Sequence, residues 1–468
     1  MAMTLRYNSP AVQLSLLALT LLLTTAVRRL LNSFLMHEPP NNINLTYDSY
    51  LPTSIISCVA GFAGIFLANL AGIRSILLFY SFTSILYLSS IVVVYQYNHY
   101  TFHTVCNILN SAGYDISRVA TLVVVLAYPS ERWKARALAT FLILEYFAMT
   151  MGNIIAITDH SSENSRLHSA IAALCLACLS PFVAVAIAPT HDVVRNNGVY
   201  LIARKTTLRD EITETIRLFK NKYMLLLLPY MFCYPFLFGV AYIPFPNIEA
   251  IVLYDVGRLI VVFTSQMLDV QWASRRTRGL MALLVTSIFC TVSSILTIVM
   301  RRAHMDLSGI QPSWGETEIL AYVMYIALSE YGALMYATYF FAGVASSSVE
   351  FYGFWVMGTL TNDLKASARF VGTFHSVMSI GGLVGIELVT EIPHHYTTSN
   401  TLTYVAFGMS LISFMVLFVV VTSITDTNDW TLGRMRNSSA PDTLSSPDGS
   451  SETVAVIAEV KYQHHNNV

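Results

Sequence analysis

The chain has 468 residues, of which 54% are hydrophobic and only 12% charged, and its formal net charge is −1. That leaves too little polar surface to wrap a soluble globule of this size, so soluble classes are excluded and a polytopic membrane protein is expected. The net charge says nothing of orientation, which depends on where Lys and Arg sit rather than on their sum.

One crossing of the hydrocarbon core takes about 20 apolar residues. In chain order the apolar runs predict helices over 11–35, 51–72, 75–97, 103–127, 137–158, 168–189, 223–244, 248–269, 280–300, 331–358, 369–392 and 402–424. The fold class read from them is an all-α integral membrane protein of twelve transmembrane helices in two six-helix halves. The N-terminal half covers 1–190 and the C-terminal half 223–424. Between them, 191–222 forms a middle loop with an amphipathic helix, and 425–468 is a Ser-, Asp- and Asn-rich tail expected to be disordered.

The first run, with Arg28 and Arg29 near its end, is too long for a secretory signal and has no small-residue cleavage pattern. It reads as a permanent helix whose two arginines snorkel to the outer boundary. The break after it carries the sequon Asn44-Leu45-Thr46, a glycosylation site if that break faces outside or the lumen. In the middle loop Thr207-Leu208-Arg209-Asp210 has the pattern of a capping box. Leu208, Ile212, Ile216 and Phe219 then repeat at helical spacing, as expected of a helix lying on the inner membrane surface. The run Glu318 to Leu328 is too short to span and leads into the tenth crossing.

Basic residues sort by side. Twenty of the 27, from Arg6 and Arg74 through Lys365, Arg369 and Lys461, fall in breaks that share one face, and five fall at the other. By the positive-inside rule the rich face is cytoplasmic, and an even number of crossings puts both termini there, in the plasma membrane or an endomembrane. Asn44 then faces outside, and the second sequon at Asn437 stays bare. Arg118 and Arg258 belong to neither side because they lie within crossings.

A charge inside a crossing costs at least about 2.5 to 3.5 kcal/mol on insertion scales, so each asks for a partner or a wet cavity. Asp115 and Arg118 stand three apart on the fourth helix, and Asp255 and Arg258 repeat that offset on the eighth. Each couple is read either as a self-neutralising intrahelical pair or as a gate or proton relay. Glu145, alone on the fifth helix, is protonated or paired across helices, and is the leading candidate for a proton-linked carboxylate. Glu350, His375 and Glu387 follow. The eleventh helix concentrates Gly372, Ser376, Gly381, Gly382 and Gly385, which suits close helix packing.

All six cysteines lie within crossings, so no disulfide framework is expected, and Cys175-Leu176-Ala177-Cys178 reads as packing. No phosphate loop, nucleophile elbow or metal-spaced His/Cys set is present, and His394-His395 is an isolated pair. Neither an enzyme, a cofactor nor a bound metal is expected, and the partners are the lipid bilayer and a small molecule, with no nucleic acid.

One segment is more specific. Phe354-Trp355-Val356-Met357-Gly358-Thr359-Leu360-Thr361-Asn362-Asp363, then Ala368-Arg369-Phe370-Val371-Gly372, resembles the tyrosine-tryptophan-x-x-glycine, serine-asparagine segment of the Unc-ninety-three-like family, in its fungal branch. Tyr128 to Glu131, Leu218-Phe219-Lys220 and Leu268-Asp269 with Ser274 to Arg278 agree. The resemblance implies a divergent major facilitator fold with a central site. It departs where the superfamily's loop between the second and third helices carries a gating aspartate. Here Asn69 stands there with Arg74, while Asp269, Arg275 and Arg276 retain the counterpart in the second half. The function expected is secondary transport of a small organic molecule by alternating access, as proton-linked efflux. The alternative is an adaptor that regulates a channel or receptor partner without moving a solute.

Overall fold

The computed structural model of the chain describes residues 7–36, 43–97, 100–129, 133–158, 163–193, 207–241, 248–269, 273–308, 330–361, 363–391 and 396–424. The first helices are α1 (Pro10–Met36), α2 (Ile43–Leu70), α3 (Ile73–Tyr97), α4 (Tyr100–Ala127), α5 (Lys134–Thr158), α6 (Glu163–Ala177) and α7 (Ser180–Val185). A short α8 (Leu208–Leu218) precedes α9 (Lys222–Ala241), α10 (Ile248–Ser265), α11 (Arg275–Ser308), α12 (Glu330–Leu360), α13 (Leu364–Glu391) and α14 (Tyr396–Thr422). The tail from 425, the run 318–328 and His394-His395 lie outside the described residues.

Local chemistry sets the boundaries. Gly72 takes φ 79° in the turn between α2 and α3, a conformation that costs a residue with a Cβ. Thr207 and Asp210 form the reciprocal capping box at the start of α8. Pro229 and Pro235 lie inside α9, each removing one backbone donor, and α10 ends in a 3-10 turn over Gln266–Asp269. One boundary differs from expectation: α2 begins at Ile43 rather than 51, so the sequon occupies its first turn instead of a loop, and the Asn44 side chain is not among those described.

Among the described residues ten helical stretches are long and apolar enough to cross a membrane. α6 and α7 form one such stretch, Leu167–Val185, whereas α4 and α12 are not among the ten. They carry Asp115, Arg118 and Glu350, and more than half of α4 is buried. Polarity runs outward from wet to oily: Phe182, Met415, Phe263 and Phe82 are 75%, 71%, 69% and 67% exposed, while Asp115, Glu145, Asp255 and Glu350 are 5% exposed or less. Only a hydrocarbon solvent makes that distribution favourable.

The packing repeats itself. α1 packs on α5, α2 and α3 on α4, and α6 on α3 and α1. Adding the later helices in the same order, α9 packs on α13, α10 and α11 on α12, and α14 on α11 and α9. The two sets meet chiefly along α2 with α13 and α10 with α5, and these two contacts exchange under the same correspondence. Such a pattern is that of a structural repeat about a central axis. The α2–α13 contact is close because both sides are small: a Cβ on Gly372 would stand 2.8 Å from the Gly61 carbonyl oxygen and 2.3 Å from the Ile65 side chain.

Candidate functional site

Four helices, two from each set, deliver a buried cluster of charges. On α5, Glu145, Met149 and Asn153 recur every fourth residue and so share one face. On α4, Tyr114 and Arg118 do the same, and α10 contributes Asp255 and Arg258 while α12 contributes Glu350. Arg118 Nε lies 3.1 Å from Glu145 Oε1, and the Tyr114 hydroxyl donates to that same oxygen at 2.8 Å. Arg118 Nη2 also donates to Glu350 Oε1, which binds the two sets together.

Glu350 is shared. Its Oε2 accepts from the Tyr146 hydroxyl at 2.9 Å and lies 3.5 Å from Arg258 Nη2. Arg258 stacks over the Tyr146 ring, 3.6 Å from its centroid, and its Nη1 stands 3.6 Å from Asp255 Oδ1. Asn153 donates to Asp255 Oδ2 at 2.8 Å. Two guanidiniums thus face three carboxylates in a low-dielectric interior, where each attraction is strong and each unpaired charge costly.

The sequence-derived candidates are sorted by this geometry. Asp255 and Arg258 do lie within ion-pair reach of each other, but Asp115 and Arg118 pair elsewhere. Three residues of α-helix separate side chains by about 60°, so Arg118 turns to α5 and α12 while Asp115 turns to α13 and meets His375 Nε2 at 2.9 Å. Glu145 is paired across helices. Arg28 and Arg29, expected to snorkel to the outer boundary, have contacts within the bundle: the Arg28 guanidinium lies over the Tyr114 ring at 4.8 Å and Arg29 Nη2 is 3.8 Å from Met149 Sδ. Glu387, partly exposed, is about 18 Å of helix further along α13 than His375. Tyr114, Tyr146 and Asn153 were not singled out from the sequence, although the helical spacing of Tyr114 from Arg118 and of Asn153 from Glu145 was visible there.

A second group of contacts closes one end of the bundle, the end that carries α8. Asp269 accepts from the backbone N–H of Ala135 at 3.1 Å and of Arg136 at 2.7 Å, so that the end of α10 caps the N-terminus of α5. Lys134 Nζ donates to the Gly358 carbonyl at 2.7 Å and the Thr361 carbonyl at 3.4 Å, which caps α12 from the other set. Arg278 donates to the Leu268 carbonyl. Arg275 is half-buried, Arg276 and Arg74 are exposed. Asn69 donates to Glu211 of α8 at 3.0 Å. Tyr128, at the end of α4, has its hydroxyl pushed up to about 12 by burial.

The comparisons with known proteins follow this geometry. The fucose:proton symporter FucP of E. coli superposes with a TM-score of 0.58 at 14% identity, over 89% of this chain and 100% of that one. A second FucP structure, in the outward conformation, gives 0.56 at 13% identity, over 88% and 99%. The fold is that of the major facilitator superfamily. The proton:xylose symporter XylE matches this chain with a TM-score of 0.56 at 12% identity, over 91% and 98%. By sequence, UNC93-like proteins 1 and 2 of Arabidopsis thaliana are each 21% identical over 416 residues, 82% of this chain and 85% of theirs. No protein-family model matches the chain.

Proposed function

We propose that this facilitator is a secondary transporter of a small organic molecule, working by alternating access and coupled to protons, in an Unc-ninety-three-like lineage of the fungal branch. The observation that carries the reading is the buried Arg118–Glu145–Glu350–Arg258–Asp255 cluster, built from both helix sets. In this reading α4 and α12 cross the membrane as well, which makes twelve crossings, and 1–190 and 223–424 are the halves that rock. The end carrying α8 and most of the basic residues is cytoplasmic, with both termini.

Rocking one half against the other separates Arg118 from Glu350. Glu145 shares Arg118 with Glu350 in one state and has it alone in the other, and in this reading Glu145 takes up a proton in the first state and releases it in the second. Fucose:proton and proton:xylose symporters share the fold, which supports protons as the coupling ion and small polyols as the first solutes to try. The efflux direction is part of the proposal.

The test is reconstitution of the full chain in liposomes loaded with a pH-sensitive dye, followed by addition of a panel of sugars, amines and carboxylic acids across a pH gradient. Solute-dependent proton movement with at least one class supports the reading. Liposomes in which no member moves protons or exchanges across the membrane contradict it.

A further inference from the structure

The two contacts between helix sets are related by the internal repeat, yet their ends at the α8 side are closed differently. Where α10 meets α5, Asp269 carries the carboxylate to the α5 N-terminus. The related position at the end of α2 is Asn69, which has no charge to offer the start of α13. A carboxylate is nevertheless there. Glu211 reaches in from α8 and its Oε2 accepts from Asn69 at 3.0 Å and from Arg369 of α13 at 2.8 Å (Nη2) and 3.1 Å (Nε). Glu211 is 0% exposed and Arg369 7%, and Glu211 Oε1 is buried with no hydrogen-bond partner among the described residues.

The seat of α8 is unusual for an amphipathic helix. It buries its polar residues, Glu211 and Thr215, and leaves Leu208, Ile212 and Ile216 53%, 42% and 58% exposed. Of the apolar residues of α8 only Leu218 is partly buried against the core, so apolar burial contributes little to holding it in place. The two donations from Arg369 to Glu211 Oε2 and the Asn69 hydrogen bond are its main anchors, and such charge-assisted bonds are the strong ones.

We propose that Glu211 is the gating carboxylate of the α2–α13 contact, delivered by the connecting helix in place of the missing aspartate at position 69. α8 is then a latch. It joins Asn69 of the first set to Arg369 of the second, and it must leave its seat whenever this end of the bundle opens. The inference rests on the alternating-access reading but is tested without any solute.

The experiment places nitroxide labels at Ala71 and Lys365, on opposite sides of the latch, in full-length protein reconstituted in liposomes after replacement of the native cysteines. Distances are read by pulsed electron resonance. The wild type should give a predominantly short distance. E211Q, which removes the charge but keeps the shape, should raise the ratio of long to short population by about tenfold or more, the size expected for losing a charged hydrogen bond. Because Asn69 and Arg369 touch the same Glu211 oxygen, N69D in the E211Q background should return the short distance. An E211Q distribution like that of the wild type, or an N69D/E211Q protein as open as E211Q, overturns the proposal. If the distances respond while no solute moves in liposomes, the latch stands and the transport reading falls.

Discussion

Arg118 on α4 and Glu350 on α12, 232 positions apart in sequence, form an ion pair that joins the two helix sets at the middle of the bundle. Glu350 also serves Arg258 and Tyr146, so a single carboxylate holds three partners from α4, α5 and α10. It is the carboxylate that both guanidiniums share, and the consequences of that position can be measured.

Replacing Glu350 by Ala leaves Arg118 to Glu145 and leaves Arg258 with Asp255, at 3.6 Å, as its carboxylate partner. Breaking a buried pair by removing one partner costs about 3 to 5 kcal/mol. The thermal midpoint of the purified protein should fall well below that of the wild type, with E350D intermediate. An unchanged midpoint for Glu350→Ala would falsify the shared-carboxylate account.

Asp269→Asn leaves one acceptor oxygen where the N–H groups of Ala135 and Arg136 use two, and it also loses the charge that favours a helix N-terminus, which alone is worth about 0.3 to 2 kcal/mol. A cysteine placed at Thr359, which is 8% exposed beside Lys134 and Asp269, should then react with a water-soluble thiol reagent several-fold faster. Equal rates in both proteins would show that Asp269 does not hold this end closed.

Asp210 carries the pH dependence of α8. The Thr207 hydroxyl at 2.7 Å, and then its backbone N–H at 3.4 Å, hold the Asp210 carboxyl below the usual carboxylate range. A depressed carboxylate contributes stability above the unfolded value, about 3.9, and loses it as pH falls through the lower folded value. Amide protection at the start of α8 should hold from neutral pH down to about 4 and fade below it, and D210N should flatten that dependence. Protection that disappears near pH 6 would assign the titration to another group.

Asn44 tests sidedness. If the α8 end is cytoplasmic, the first turn of α2 lies outside or in the lumen, and the chain should carry one glycan there. It should be removed by glycosidase and absent in N44Q. A glycan on Asn437 instead would invert the topology.

Much of this architecture was legible because a bilayer permits few solutions. A helix was expected at 103–127 and one is found at Tyr100–Ala127, and another was expected at 331–358 and is found at Glu330–Leu360. Asp115, Arg118, Glu145, Asp255, Arg258 and His375 stood out because a charge in an apolar run is conspicuous. Their partners did not stand out, since pairing across helices depends on rotations of some tens of degrees and on neighbours hundreds of positions away. Asp115 and Arg118 share a helix face in sequence and still turn to different helices. Glu211 escaped attention for the opposite reason. On a short polar helix a glutamate looks like part of a solvated face, and only the contact with Arg369 marks it as buried.

The proposed coupling of proton movement to solute transport in the buried cluster runs through Glu145. The most direct measurement compares wild type and E145Q in the same dye-loaded liposomes, after a pH jump, with a solute that the wild type moves. The account predicts that E145Q loses pH-driven flux while solute exchange at equal pH persists. Undiminished pH-driven flux in E145Q contradicts it.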